Sequence, residues 1–298
     1  MPIREPRVFI LGAGASADFG FPIGKELRDK VLRFCKSANG KKWLAELHHE
    51  DSRVLAFYDE LRTSAQSIDQ FLEHNSDFLS IGKHCIAGVL LPCETEDKLF
   101  PPDGPTDHWY EYLIDYMEVG RDQWEENRLS VVTFNYDRSF EHYFTRVLTQ
   151  QLKVTSEVAY GRLLARVPIV HVHGSLGDYP GLPYGAPPNA QSISDAASRI
   201  LVVGEADDTL PTFATASDIL DGARLIDFLG FGFQRDNVRR LRYFDRPPNE
   251  TSALVRGTVR DFSNRRWQTV CSEILKGHWK GEKVLTALSY LKFHGGLD

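Results

Sequence analysis

The run Val8-Phe9-Ile10-Leu11 ends directly in Gly12-Ala13-Gly14-Ala15-Ser16-Ala17, and this junction constrains the fold more than any other stretch. An apolar run with no polar alternation is the pattern of a strand buried on both faces, as in a parallel sheet covered by helices. Gly12-x-Gly14-x-x-Ala17 behind it has the G-x-G-x-x-A spacing of dinucleotide-binding turns. There the glycines let a pyrophosphate approach the backbone, and a helix N-terminus supplies unpaired N–H groups. Leu27, Val31 and Phe34 continue at helical spacing. The acidic residue that normally closes a second strand about twenty positions on, and grips ribose, is missing. The first unit is strand, glycine turn, helix, but not an ordinary dehydrogenase half.

Further strands are expected at Leu129–Phe134, Pro168–Val172, Ile200–Val203, Arg224–Leu229 and Thr251–Val255, with helical patterns such as SFEHYFTRVLTQQL between several of them. Alternating strands and helices predict an α/β fold: a Rossmann-like parallel sheet with helices on both faces. From Lys41 to Asn127 helical periodicity dominates, and Ser67 to Gln70 has capping-box spacing. We read residues 41–127 as a helical insertion within a single domain spanning 1–298. The proline-rich stretch LPCETEDKLFPPDGPTD within it is expected to be a loop, and the tail from Trp267 to Leu291 is expected to be helical. Trp109, Tyr110, Tyr112 and Tyr116 read as a helix face packed on the core of the insertion.

Composition narrows the functional classes. A net charge of −6 argues against a protein that wraps nucleic-acid backbone; Arg235, Arg239, Arg240 and Arg242 read as a solvated helix face. Cys35, Cys85, Cys93 and Cys271 form no C-x-x-C pair, which excludes a zinc ribbon and leaves no metal site in view. No apolar run is long enough for a bilayer, and the N-terminus has no secretory pattern. The expected setting is the cytoplasm, with no membrane and no direct nucleic-acid contact.

Three further segments close strands at the edge where open α/β sheets bind ligands: Thr133-Phe134-Asn135-Tyr136-Asp137, His171-Val172-His173-Gly174-Ser175 and Gly230-Phe231-Gly232-Phe233. Each also has a structural reading. Asn135 and Asp137 suit the turn and cap of the next helix, Asp236 and Asn237 suit a cap, and Ser16 suits an N-cap that also reaches a phosphate. His171, His142 and His74 read as structural histidines.

Together these segments resemble the sirtuin (SIR2) family, specifically the SIR2-like NAD-cleaving proteins of bacterial defence systems. Gly12 to Ser16 resembles the family's cofactor-binding opening, and Phe19-Gly20-Phe21-Pro22 resembles its G-I-P continuation. TFNYD resembles the T-Q-N-I-D segment, which places Asn135 and Asp137 on nicotinamide-pocket and catalytic positions. HVHG places His173 on the catalytic histidine. GFGF at 230–233 resembles the turn that contacts cofactor ribose, and SIDQFL at 67–72 is similar to a helix start of the defence proteins. The resemblance thus implies catalytic roles for Asn135, Asp137 and His173. It implies cofactor contacts for Gly12, Ala13, Gly14, Ser16, Ala17, Pro22, Thr133, Phe134, Gly174, Gly230, Gly232 and Phe233.

The chain departs from sirtuin deacylases in two places. It has no four-cysteine zinc module, and Pro22 is followed by Ile23-Gly24-Lys25 where the deacylases carry D-F-R. What the resemblance then implies is NAD as substrate, hydrolysed to nicotinamide and ADP-ribose without a metal, in an antiphage effector. Control from outside the chain is expected, by homo-oligomerisation or by a partner such as a HerA-type ATPase. A non-catalytic NAD- or ADP-ribose-binding module is the alternative, with a deacylase or ADP-ribosyltransferase behind it. NAD is favoured over NADP, since no basic ribose-phosphate pocket is evident in the sequence.

Overall fold

A computed structural model describes residues 2–103, 107–119, 123–202, 210–259, 262–281, 283–293 and 297. Strand β1 (Arg7–Leu11) is buried along its whole length, as its unbroken apolar run requires. Helices and turns fill the described residues between it and the next strand: α1 (Gly24–Lys36), α2 (Ala38–Glu46), α3 (Asp51–Thr63), α4 (Ile68–His74), α5 (Leu79–Leu90), α6 (Glu96–Leu99) and α7 (Trp109–Tyr116). Then come β2 (Leu129–Thr133), α8 (Ser139–Leu152), α9 (Ser156–Arg166), β3 (Ile169–His171), α10 (Ala190–Arg199) and α11 (Pro211–Asp221). The chain continues through β4 (Leu225–Leu229), α12 (Arg235–Arg240), β5 (Leu254–Gly257), α13 (Asn264–Thr269) and α14 (Ala287–Phe293).

The five strands form one parallel sheet in the order β3-β2-β1-β4-β5, a Rossmann-like α/β fold. The chain steps outward from β1 to β3, then returns to the other side of β1 to lay down β4. That reversal opens a crevice beyond the C-terminal ends of β1 and β4, the place where such sheets bind ligands. Alternate residues of β1 face opposite ways, as the two-residue strand period demands. Phe9 and Leu11 join a core with α1–α5, α7–α10 and α14. Val8 and Ile10 join a second core with α11, α12 and α13. No helix among the described residues is long and apolar enough to cross a membrane.

Ser67 and Gln70 form the capping box expected at the start of α4. Elsewhere the structure departs from the sequence pattern for local reasons. The helical run begins at Ala38, ahead of Lys41, because Ser37 caps it by accepting a hydrogen bond from Gly40 N–H. The proline-rich stretch is not wholly loop: α6 forms over Glu96–Leu99, which contains no proline, while Pro105 lies outside the described residues. Residues 200–202 form no strand, and Val203 lies outside the described residues. Ile200 and Val202 are buried, with Leu201 N–H donating to His173 O, beyond the end of β3, at 2.9 Å. Strand β5 starts three residues later than expected, at Leu254, and ends two later, at Gly257. The tail is not continuously helical either, since Trp279 and Val284 pair with Val255 and Thr258 as isolated parallel bridges beside β5. Arg240 does not belong to a solvated face: it is 7% exposed.

Candidate functional site

The turn after β1 packs directly on the turn after β4. Gly12 N–H donates to Leu229 O at 3.0 Å and Gly14 N–H to Gly230 O at 2.9 Å. A side chain at Gly230 would put its Cβ 2.0 Å from the Ala15 nitrogen. Gly12 and Gly14 thus let one turn approach the other, where the sequence pattern expects a pyrophosphate. No long helix follows at once. Two short 3-10 turns, Ala13–Ala15 and Ala17–Phe19, lead to α1, and Trp109 Nε1–H pins the first by donating to Ala15 O at 2.8 Å.

The turn after β2 supplies the polar groups. Thr133 Oγ1 accepts from Asn135 N–H at 3.1 Å, fixing the backbone as it leaves the strand. The Asn135 amide then donates to Gly12 O at 3.0 Å and to Ser16 Oγ at 3.1 Å. Asp137 accepts from Ser139 N–H at 3.1 Å, so it also serves the start of α8, the structural role open to it. Burial raises the Asp137 carboxyl above its usual range, opposed by hydrogen bonds from Ser139 and Ser16. Ser16 therefore ties the β1 turn to both Asn135 and Asp137. Behind them His171 bonds the Asn135 carbonyl oxygen at 2.9 Å and Glu141 at 2.5 Å.

These turns border a cavity of about 730 Å³, within the ~300–1,000 Å³ typical of small-molecule sites. Gly12, Ala13, Gly14, Ser16, Ala17, Pro22, Phe134, Asn135, Asp137, Gly230, Gly232 and Phe233 all line it. Walls that sequence reasoning missed come from three other regions. The N-terminus of α1 contributes Gly24 to Leu27, the start of α4 contributes Asp69, and the C-terminal part contributes Phe262, Arg266 and Leu285 to Ala287. Asp69 accepts from the Tyr136 hydroxyl at 3.1 Å; burial raises its carboxyl against that bond. Its position inside the SIDQFL segment was the available signal. No motif marked the C-terminal wall.

Thr133, His173 and Gly174 do not line the cavity. Thr133 acts through Asn135. Gly174, at φ +74°, lies where a Cβ would meet Arg199 O at 1.8 Å, so close packing on the end of α10 accounts for it. His173 is 4% exposed and stands behind two cavity-wall residues. Its ring meets Phe134 edge-on at 5.4 Å, and Nε2 contacts Asn237 Oδ1 at 3.4 Å. Asn237 caps nothing; α12 begins after Gln234, without a side-chain cap. Burial lowers the His173 pKa to about 4, with the nearby Arg240 charge adding to the effect against the bond to Asn237. The ring is neutral at pH 7.

That shift has a measurable consequence. A histidine whose folded pKa lies below the unfolded value of about 6.5 stabilises the protein above that pH, and the contribution is lost as the pH falls toward 4. Urea denaturation of wild type and a His173 variant across this window isolates that contribution. His173→Asn is expected to remove about one proton from the uptake that accompanies unfolding there. An unchanged slope in the variant would show that His173 titrates normally in the folded protein.

Fold and crevice define a Rossmann-like α/β protein with a cavity of small-molecule size at its switch point. No protein-family model matches the chain, and no curated protein matches it.

Proposed function

We propose that the chain is an NAD glycohydrolase, breaking the bond between nicotinamide and ribose to give nicotinamide and ADP-ribose. The observation that carries this reading is the joining of Asn135 and Asp137 through Ser16 at the wall of the switch-point cavity. As the C1′–N bond breaks, its electron pair leaves with nicotinamide and positive charge builds on the ribose. Polar groups already fixed in place lower the energy of that state without reorganising. Asn135 is fixed in this way, and the Asp137 and Asp69 carboxyl groups border the same space. Water then supplies the hydroxyl of ADP-ribose and releases a proton.

His173, neutral at pH 7, can accept that proton once Asn237 or Phe134 shifts to admit substrate or a bridging water. Its retreat from the cavity favours one second reading, a non-catalytic module that binds NAD or ADP-ribose. The resemblance to SIR2-like defence proteins supports an antiphage effector in the cytoplasm. It would be restrained by homo-oligomerisation or by a partner such as a HerA-type ATPase.

NAD consumption by the purified protein, followed by chromatography of nicotinamide and ADP-ribose, tests the reading alongside Asn135→Ala and His173→Ala. Turnover is expected in the wild type, with a loss of about 100-fold in Asn135→Ala, the scale of removing one oriented polar group. ADP-ribose binding, measured by calorimetry, is expected to persist in both variants. Binding without turnover in the wild type would replace the hydrolase with the binding module.

A further inference from the structure

His171 is the last residue of β3 and sits in register with Thr133, the last residue of β2. Beyond that pair the two turns stay stitched: Val172 N–H donates to Thr133 O at 3.0 Å and Leu176 N–H to Tyr136 O at 2.8 Å. Between these bonds the imidazole reaches Asn135 O from Nδ1 at 2.9 Å and Glu141 Oε1 from Nε2 at 2.5 Å. The Glu141 side chain is 5% exposed and that of His171 15%.

Hydrogen-bond capacity sets the protonation state. A backbone carbonyl only accepts, and so does an ionised carboxylate, whereas a neutral imidazole has one N–H and one lone pair. Either neutral tautomer would therefore aim a lone pair at an acceptor oxygen. Only the imidazolium, with an N–H on each nitrogen, satisfies both partners.

We propose that Glu141 and His171 form a buried ionic clamp that positions Asn135, with the doubly protonated ring holding the Asn135 carbonyl while the turn after β1 holds its side chain. The clamp fixes Asn135 from the β3 side, and Gly12 and Ser16 fix it from the β1 side. The consequence for turnover rests on the hydrolase reading above; the clamp itself does not. His171 is a positioning residue, since it reaches the cavity only through Asn135.

The charges around the ring agree with this geometry. Burial pulls the His171 pKa down, but the Glu141 charge and hydrogen bond, the Asn135 carbonyl and the Asp137 charge together hold it above its ordinary value. Tyr160 and Tyr179 also face Glu141, and burial chiefly holds both phenols up, at about 12. Arg138 is committed to Glu94 and to Leu182 O. With a folded pKa above the unfolded one, the clamp is complete below about pH 6.5 and is lost as the pH rises through the folded value.

Two readouts test the proposal. In protein labelled with ¹⁵N-histidine, with His171→Gln to assign the signal, both ring nitrogens of His171 should report N–H at pH 7. The Tyr136 amide, bonded to the Asn135 carbonyl carbon, should titrate with them. A neutral tautomer at pH 7 overturns the clamp, whether or not NAD is consumed. The second readout is the pH profile of kcat/KM. In Glu141→Gln, whose amide oxygen still accepts from Nε2–H, the alkaline limb is expected to move to lower pH, since the negative charge that holds the ring protonated is gone. The low-pH plateau should stay within about threefold of wild type, and His171→Gln should lose that limb altogether. An equal loss at every pH in Glu141→Gln would reduce the pair to a packing role and overturn the proposal. A doubly protonated His171 in a protein that never consumes NAD would keep the clamp and reject the hydrolase.

Discussion

Gly230→Ala is expected to destabilise the protein by about 4 kcal/mol or more, lowering Tm by roughly 8–16 °C, while Gly232→Ala leaves the fold intact. Gly230 has φ +60°, and an added Cβ would lie 2.0 Å from the Ala15 nitrogen and 2.2 Å from the Gly14 carbonyl carbon. Both contacts are backbone, so no rotamer change relieves them. The β1 and β4 turns would have to separate, breaking the bond from Gly14 N–H to Gly230 O and opening the floor of the cavity. Gly232 lines the same cavity with nothing within 4 Å of its ideal Cβ. Its alanine variant should melt with the wild type and reveal itself only in ligand affinity. Calorimetric melting of both variants decides the matter; equal Tm values would mean that the two turns yield easily.

Asp227→Ala is expected to cost about 3–5 kcal/mol, the scale of removing one partner from a buried ion pair. Asp227, in the middle of β4, is fully buried. Arg7 Nε lies 3.3 Å from one carboxylate oxygen and Arg256 Nε 3.3 Å from the other, and the Tyr290 hydroxyl donates to the carboxylate as well. Burial raises the Asp227 carboxyl, against the pull of Arg7, Tyr290 and Arg256. Removing the carboxylate strands the Arg7 guanidinium, whose side chain is 1% exposed. The double variant Asp227→Ala/Arg7→Met should therefore recover much of the loss. Urea denaturation of the three proteins measures this. A double variant no better than Asp227→Ala alone would show that the carboxylate's bonds to Arg256 and Tyr290 matter more than the charge of Arg7.

The parts of this fold legible in the sequence are those governed by short-range rules. β1, β2 and β4 fall within one residue of the apolar runs that predict them, because a strand buried on both faces carries few polar residues to blur its pattern, Asp227 in β4 among them. The run from Ile200 misled over its described residues, Ile200 to Val202, because apolar residues also collect where a chain merely crosses a core. Asn135 and Asp137 were readable because a strand end fixes where they emerge. His171 reads as structural in the sequence, and no spacing rule assigns it a role, since its partner Glu141 lies thirty residues earlier on a helix. His173 bears the family-like motif yet stands one layer behind the wall, because Phe134 and Asn237 occupy the intervening space. Arg240 and the C-terminal wall are products of tertiary packing alone.

The cavity's boundary runs from Gly12 to Ala287 along the chain and draws on both cores of the sheet. Such a site is long-range by construction, so it forms only when contacts far apart in sequence have closed, the slow part of folding. A molecule bound there bridges the β1 turn and the residues that lead into α14. It resists any fluctuation that peels one from the other. Hydrogen exchange should therefore slow at both of these distant segments together when the cavity fills, each protected by the other's hold on the same guest.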